Sequence, residues 1–88
     1  MTRAEILDTA KEYVTKDRAA SHGDLEYNFT RIADYWTAYT GHQFDADDVA
    51  VMMMLLKIAR IGSNSKNPDN WIDAAGYAAC GGEIACEK

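Results

Sequence analysis

Three small groups of polar residues in this chain have types and spacings that could do chemistry. Lys57 and Arg60 lie three residues apart, which puts two helical side chains on one face. The surrounding segment, Val49 to Ile61, is apolar at every other position on every face. A lone buried cation is costly, so each of these two must reach water, a carboxylate or a bound anion. Asp69 and Asp73, four apart, share a helix face and flank Trp71. The third group is the turn His22-Gly23-Asp24, with Asn28 one helical turn after Asp24.

Joined together, these groups would make a binding site. Lys57 and Arg60 would meet phosphate oxygens, the guanidinium bidentately. Asp69 and Asp73 would hold Mg²⁺ or hydrogen-bond a sugar or a base. Trp71, Tyr27 or Tyr77 would stack on the base, because every base offers a π-face. The alternative is structural: Lys57 and Arg60 pair with Asp73 and Asp69 across a helix–helix contact, and Asp24 only caps a helix. On spacing alone the structural reading is favoured, because structural ion pairs are commoner than sites.

The remaining candidates have plainer explanations. His22 is a lone histidine in a turn, and His42 follows a helix-ending glycine, which points it to solvent. Asp45, Asp47 and Asp48 resemble a metal cluster, but three acids at a helix start serve as cap and dipole residues. The run Met52-Met53-Met54 reads as core filler. Cys80 and Cys86 are about 600° of helix rotation apart, so they cannot pair within one helix, and they fit no metal-ligand spacing. They read as the reduced cysteines of an intracellular protein. No glycine-rich phosphate loop, Ser/His/Asp or Cys/His arrangement, or two-histidine metal motif is present, so nucleophilic catalysis has no apparatus here.

Four helices must position these residues. Thr2-Arg3-Ala4-Glu5 is a capping box, and Ile6, Leu7, Ala10, Tyr13 and Val14 follow as an apolar stripe, so the first helix runs to Asp17 or Ala20 and breaks at Ser21-His22-Gly23. Asp24 caps the second, whose seam is Leu25, Phe29, Ile32, Trp36 and Tyr39; Gly41 ends it. Asp45 caps the third, ended by Gly62. Because this helix is apolar all round, it is expected at the centre of the fold. Ser63–Asn67 is a polar loop. Asn67 caps the fourth helix and Pro68 opens it. That helix carries Trp71 and Ile72, then Ala74, Ala75, Gly76, Ala78, Ala79, Gly81 and Gly82. The glycines cost helix propensity, so something must be packed against them. No strand pattern, repeat or linker appears. The expected fold class is all-α, a compact four-helix bundle in a single domain, residues 1–88.

Composition narrows the partners. The 88 residues are 48% apolar, a rich supply for so small a core, which points to a homo-oligomer. Nine basic residues against fourteen acidic ones give a net charge of −5. That balance argues against a nucleic acid polymer but leaves room for one small phosphorylated molecule. The longest strongly apolar run, Val49–Leu56, is too short to span a membrane, and the charged N-terminus has no signal-peptide core. The expected location is cytoplasmic.

One resemblance covers nearly the whole chain. It is carried by His22-Gly23-Asp24, Asn28-Phe29, Ile32-Ala33, Trp36 and Tyr39, then Asp48-Val49-Ala50, Met53 and Leu55-Leu56-Lys57-Ile58-Ala59-Arg60, then Asp69-Asn70-Trp71, Asp73 and Ala75-Gly76-Tyr77-Ala78. The chain resembles short phage- and prophage-encoded domains of unknown function. More distantly it is similar to the nucleotide-modification-associated domains of phages and to all-α nucleoside triphosphate pyrophosphatases of the MazG type. The resemblance implies a MazG-like fold. Such pyrophosphatases hold Mg²⁺ with a Glu-x-x-Glu pair on one helix and a Glu-x-x-Asp pair on another. Asp69 and Asp73 match the second pair, though spaced four apart rather than three. The second helix offers Asp24, Glu26 and Asp34, which do not make the first. The family more often has Tyr where this chain has His22.

Three functions are therefore expected to compete. The first is a phage-type nucleotide-binding protein that sequesters a nucleotide-derived, immune-signalling molecule without chemistry, in the cytoplasm of the bacterial host. The second is a Mg²⁺-dependent nucleoside triphosphate pyrophosphatase. The third is a protein–protein interaction module docking through the alanine and glycine face of the fourth helix.

Overall fold

The computed structural model describes residues 1–17 and 24–86. Helix α1 spans Arg3–Glu12 and passes into a π-helical turn, Tyr13–Asp17. Helix α2 is Leu25–Thr40, α3 is Ala46–Ser63 and α4 is Pro68–Cys86. The described residues are all-helical, with no strand.

Local chemistry sets the helix ends. At α1 the capping box closes in both directions: the Glu5 N–H donates to Thr2 Oγ1 at 3.2 Å, and the Thr2 N–H donates to Glu5 Oε1 at 3.0 Å. The Thr2 backbone N–H foremost, and then the Thr2 hydroxyl, hold the Glu5 carboxyl below its ordinary pKa. At α2 the Asp24 carboxylate accepts from the Tyr27 N–H at 2.8 Å, and Gly41 stops the helix in the left-handed conformation, φ 77°. Asp48 accepts the Asp45 N–H at the start of α3, at 2.8 Å. Asn67 accepts the Asp69 N–H at the start of α4, at 3.0 Å. The end of α3 departs from the expectation. Gly62 stays helical, with open space around it, and the chain turns away only at Asn64, whose extended backbone and side-chain bond to the Lys66 N–H make the break.

Helices α3 and α4 form the tightest pair, an antiparallel hairpin; α2 lies on α3, and α1 lies on α4. The small residues of α4 make this possible. A methyl placed on Gly81 would come 2.8 Å from Ala50 Cβ, and one placed on Gly76 would come 3.1 Å from Val14 Cγ1. Two residues of the alanine- and glycine-rich stretch are thus used inside the chain, Gly81 against α3 and Gly76 against the π turn, while Ala78, Ala79 and Gly82 stay exposed.

This arrangement corrects the expectation that α3 is the central helix. That place belongs to α4, which buries Asn70, Ile72, Gly76, Cys80 and Ile84. A thin alanine- and glycine-rich helix can be approached from several sides, whereas α3 buries only Val49 and Ala50. Two stripe residues also differ from the reading. Leu7 is 62% exposed and Tyr39 is 92% exposed. Tyr39 lies about 60° of helix rotation from Trp36 and one turn after exposed Tyr35, so it joins the outer face of α2. Leu25, Phe29, Ile32 and Trp36 keep the inner seam around buried Ala33. Trp36 meets Phe44 edge-on at 6.0 Å, which seats the turn between α2 and α3. No helix among the described residues is long and apolar enough to cross a membrane. Cys80 and Cys86 are free thiols.

Candidate functional site

The hairpin brings together two of the three polar groups, the one on α3 and the one on α4. Lys57, on the side of α3 facing α4, places Nζ 3.0 Å from Asp73 Oδ2, and the two side chains are only 12% and 15% exposed. The Ala50–Gly81 contact explains the meeting. Seven residues along α3 and eight back along α4, at matched rise, lead from that contact to Lys57 and Asp73. At this depth the ions exclude most water, and the mutual attraction must offset a desolvation cost of several kcal/mol per ion.

Asn70 and Tyr77 share the Asp73 face of α4. Tyr77, one turn after Asp73, tilts against Phe29 of α2 with ring centroids 6.5 Å apart, and Asn28 beside Phe29 is half-buried. Asn70, three residues before Asp73, is the one buried polar side chain among the described residues. Asn70 and Phe29 were not among the residues expected at the site. The signal for Asn70 was available, since it shares a helix face with Asp73.

The remaining expected residues divide. Arg60, one turn beyond Lys57, is exposed, and among the described residues it forms no ion pair with Asp69, which is exposed as well. Of the two ion pairs in the structural alternative, the Lys57–Asp73 one is therefore present. Trp71 is 46% exposed, and its indole is oriented by Nε1–H donating to the Ser65 carbonyl at 3.0 Å. Asp24 serves as a cap. Tyr27 lies on the outer side of α2, about 200° of rotation from Phe29, with the Arg31 guanidinium 5.8 Å from its ring centroid. The Tyr35 hydroxyl, followed by the charges of Tyr27 and Tyr35, raises the Arg31 pKa. His22 and Gly23 lie outside the described residues.

Of the two carboxylates matched to the resemblance, Asp73 is paired with the Lys57 ammonium and Asp69 is exposed, and among the described residues no further acids gather around them. Asp45, Asp47 and Asp48 bring oxygens within 4.8 Å of one another. Asp48 is engaged as a cap, however, and Gln43 Nε2 donates to Asp45 at 3.4 Å. A cleft of 380 Å³ beside them is lined by Thr30, Asp34, Gln43, Asp45 and Asp47. It lies about 15 Å along α3 from Lys57 and carries the opposite charge.

Comparison with known proteins gives a family and two relatives. Residues 5–85 match the family model described as "Domain of unknown function (DUF6378)". The "Gene 55 protein" of Mycobacterium phage L5 is 50% identical over 74 residues, covering 83% of this chain and 47% of the relative. The "Gene 55 protein" of Mycobacterium phage D29 is 35% identical over 75 residues, covering 85% of this chain and 50% of the relative. The chain thus spans about half the length of the curated relatives it matches. No solved structure matches it.

Proposed function

This chain belongs to the DUF6378 family, domains of unknown function with members in mycobacteriophages, and on that premise we propose that it is a binding module for a small phosphorylated, nucleotide-like ligand, held without chemistry beside Lys57 and Arg60. The Lys57–Asp73 pair carries this reading. Well-packed apolar residues in such a place are often neutral or more stabilising than an ion pair, so keeping the charges favours a role beyond stability. Asp73 engages one of the three ammonium donors and holds the Lys57 side chain in place. Arg60, one turn on and exposed, offers the planar fork suited to phosphate. Trp71, its ring half in solvent and its orientation fixed through Ser65, offers a face for a base.

Binding without hydrolysis is favoured because Asp73 is paired with Lys57 and no second carboxylate pair joins it among the described residues, which leaves the MazG-like, Mg²⁺-dependent alternative short of donors there. The phage relatives add a setting: a small protein that only binds could withhold a nucleotide-derived signal from a host. Isothermal titration of the chain with AMP, ATP, cyclic AMP and ADP-ribose tests the proposal. At least one nucleotide is expected to bind with a micromolar Kd, and Arg60→Ala is expected to weaken it about tenfold, roughly 1.4 kcal/mol, without lowering the Tm. If none binds tighter than millimolar, the proposal fails. Mg²⁺-dependent release of pyrophosphate from ATP that disappears in Asp73→Asn would replace it with the enzyme.

A further inference from the structure

The outer side of α3 is an apolar surface that the other described residues leave bare. Val51 is 54% exposed, Met52 40%, Leu55 57%, Leu56 42% and Ile58 53%. No charged residue occurs from Val49 to Leu56. Asp48, Val51, Leu55, Ile58 and Gly62 follow one another at spacings of three, four, three and four, the seam by which two helices pack side by side. Met52 and Ala59 flank it.

Area points the same way. A compact monomer of this mass exposes about 5,200 Å², whereas this chain exposes 6110 Å². The excess is close to the roughly 800 Å² that each partner gives up in an interface of standard size. The radius of gyration is 13.5 Å, against about 12 Å for a compact chain of this length. The interior is correspondingly thin: Val49, Ile72 and Ile84 are the only large aliphatic side chains buried among the described residues.

We infer that this face is the contact between two copies of the chain, packed antiparallel about a twofold axis near Leu55. A twofold interface must complement itself, and an uncharged aliphatic seam does so without burying an unpaired ion. The antiparallel sense follows from charge. A parallel pair would crowd Asp45, Asp47 and Asp48 of both copies at adjacent positive helix ends. An antiparallel pair sets that acidic end toward the last turn of the other α3, which carries Arg60, and opposes the two helix dipoles. In this register Met52 lies level with Ile58 of the second copy, and Asp48 lies level with Gly62, where the missing side chain leaves the carboxylate in water. Lys57 lies on the other side of α3, so the inference does not depend on the ligand proposal.

Sedimentation velocity of the full chain from roughly 1 to 100 µM should show a dimer. Leu55→Glu should raise its dissociation constant at least about tenfold while the helical circular dichroism stays unchanged. In a Cys86→Ser background, Leu55→Cys should give a disulfide-linked dimer on mild oxidation, whereas Leu7→Cys, equally exposed on α1, should not. This cross-linking pair decides the matter if Leu55→Glu does not fold. A wild-type chain that is monomeric at 100 µM overturns the inference. So does a dimer that survives Leu55→Glu, or one that fails to cross-link through position 55.

Discussion

The two sides of α3 are built from similar residues and meet opposite fates. The inner side buries Val49 and Ala50, sets Ala50 against Gly81 of α4 and encloses Lys57 beside Asp73. The outer side leaves Val51, Leu55 and Ile58 more than half exposed. Side-chain greasiness does not separate them. What differs is the neighbour: Gly81 gives Ala50 room to approach, and Asp73 gives Lys57 a counter-charge. Burial in this molecule is set by the surface opposite, and an apolar helix with one matching neighbour buries one side.

The inner side is where substitution should cost most. Asp73→Ala strands an ammonium that is 12% exposed, and should cost about 3 kcal/mol, a drop in Tm of roughly 12 °C or more. Replacing both partners, Lys57→Met with Asp73→Leu, should return the stability to within about 1 kcal/mol of wild type while abolishing nucleotide binding. Thermal and denaturant melts check the first part and titration the second. A single variant as stable as the double one would mean that the inner side is far wetter than the geometry has it.

The neighbouring glycines of α4 sharpen the comparison. Gly81→Ala drives a methyl to 2.8 Å from the Ala50 methyl, which has no rotamer to escape into. Overpacking should outweigh the gain in helix propensity and leave a net loss of roughly 1 kcal/mol. Gly82→Ala meets nothing within 4 Å and should stabilise by roughly 0.5–1 kcal/mol. Equal melts for the two would remove the close approach of α3 to α4 from the explanation.

The smallest expected effect is in the exposed capping box of α1. The Glu5 carboxyl is held below its ordinary pKa by Thr2, so its contribution is complete above the unfolded-state value and is lost as the pH falls through the lowered one. Protection of the amides at the start of α1, measured against their intrinsic exchange rates, should fall below that point and stay level at neutral pH. Glu5→Gln should remove the pH dependence while the protein's melt near neutrality hardly changes.

Helix caps were legible in the sequence because they are local. Thr2 with Glu5, Asp24, Gly41 and Asn67 each satisfy or end a helix within four residues, and each acts where its spacing put it. The amphipathic seam of α2 was legible for the same reason, up to Tyr39, which joins the outer face. Lys57, Arg60, Asp69 and Asp73 could be recognised as a group but not sorted. Spacing along two helices fixes which residues share a face, and it leaves open how far one helix slides past the other.

The sequence by itself determined the helical class, the number of helices among the described residues, most of their ends and the need for a tight contact along α4, since each rests on backbone propensity, capping or the cost of glycine. Tertiary structure alone decided that Asp73 and not Asp69 meets a cation, that Arg60 stays in solvent, and that α4 takes the centre while α3 keeps a bare side. The physical reason is that ion pairing and burial depend on register across the hairpin, which is set where Gly81 lets Ala50 approach and which no single helix encodes.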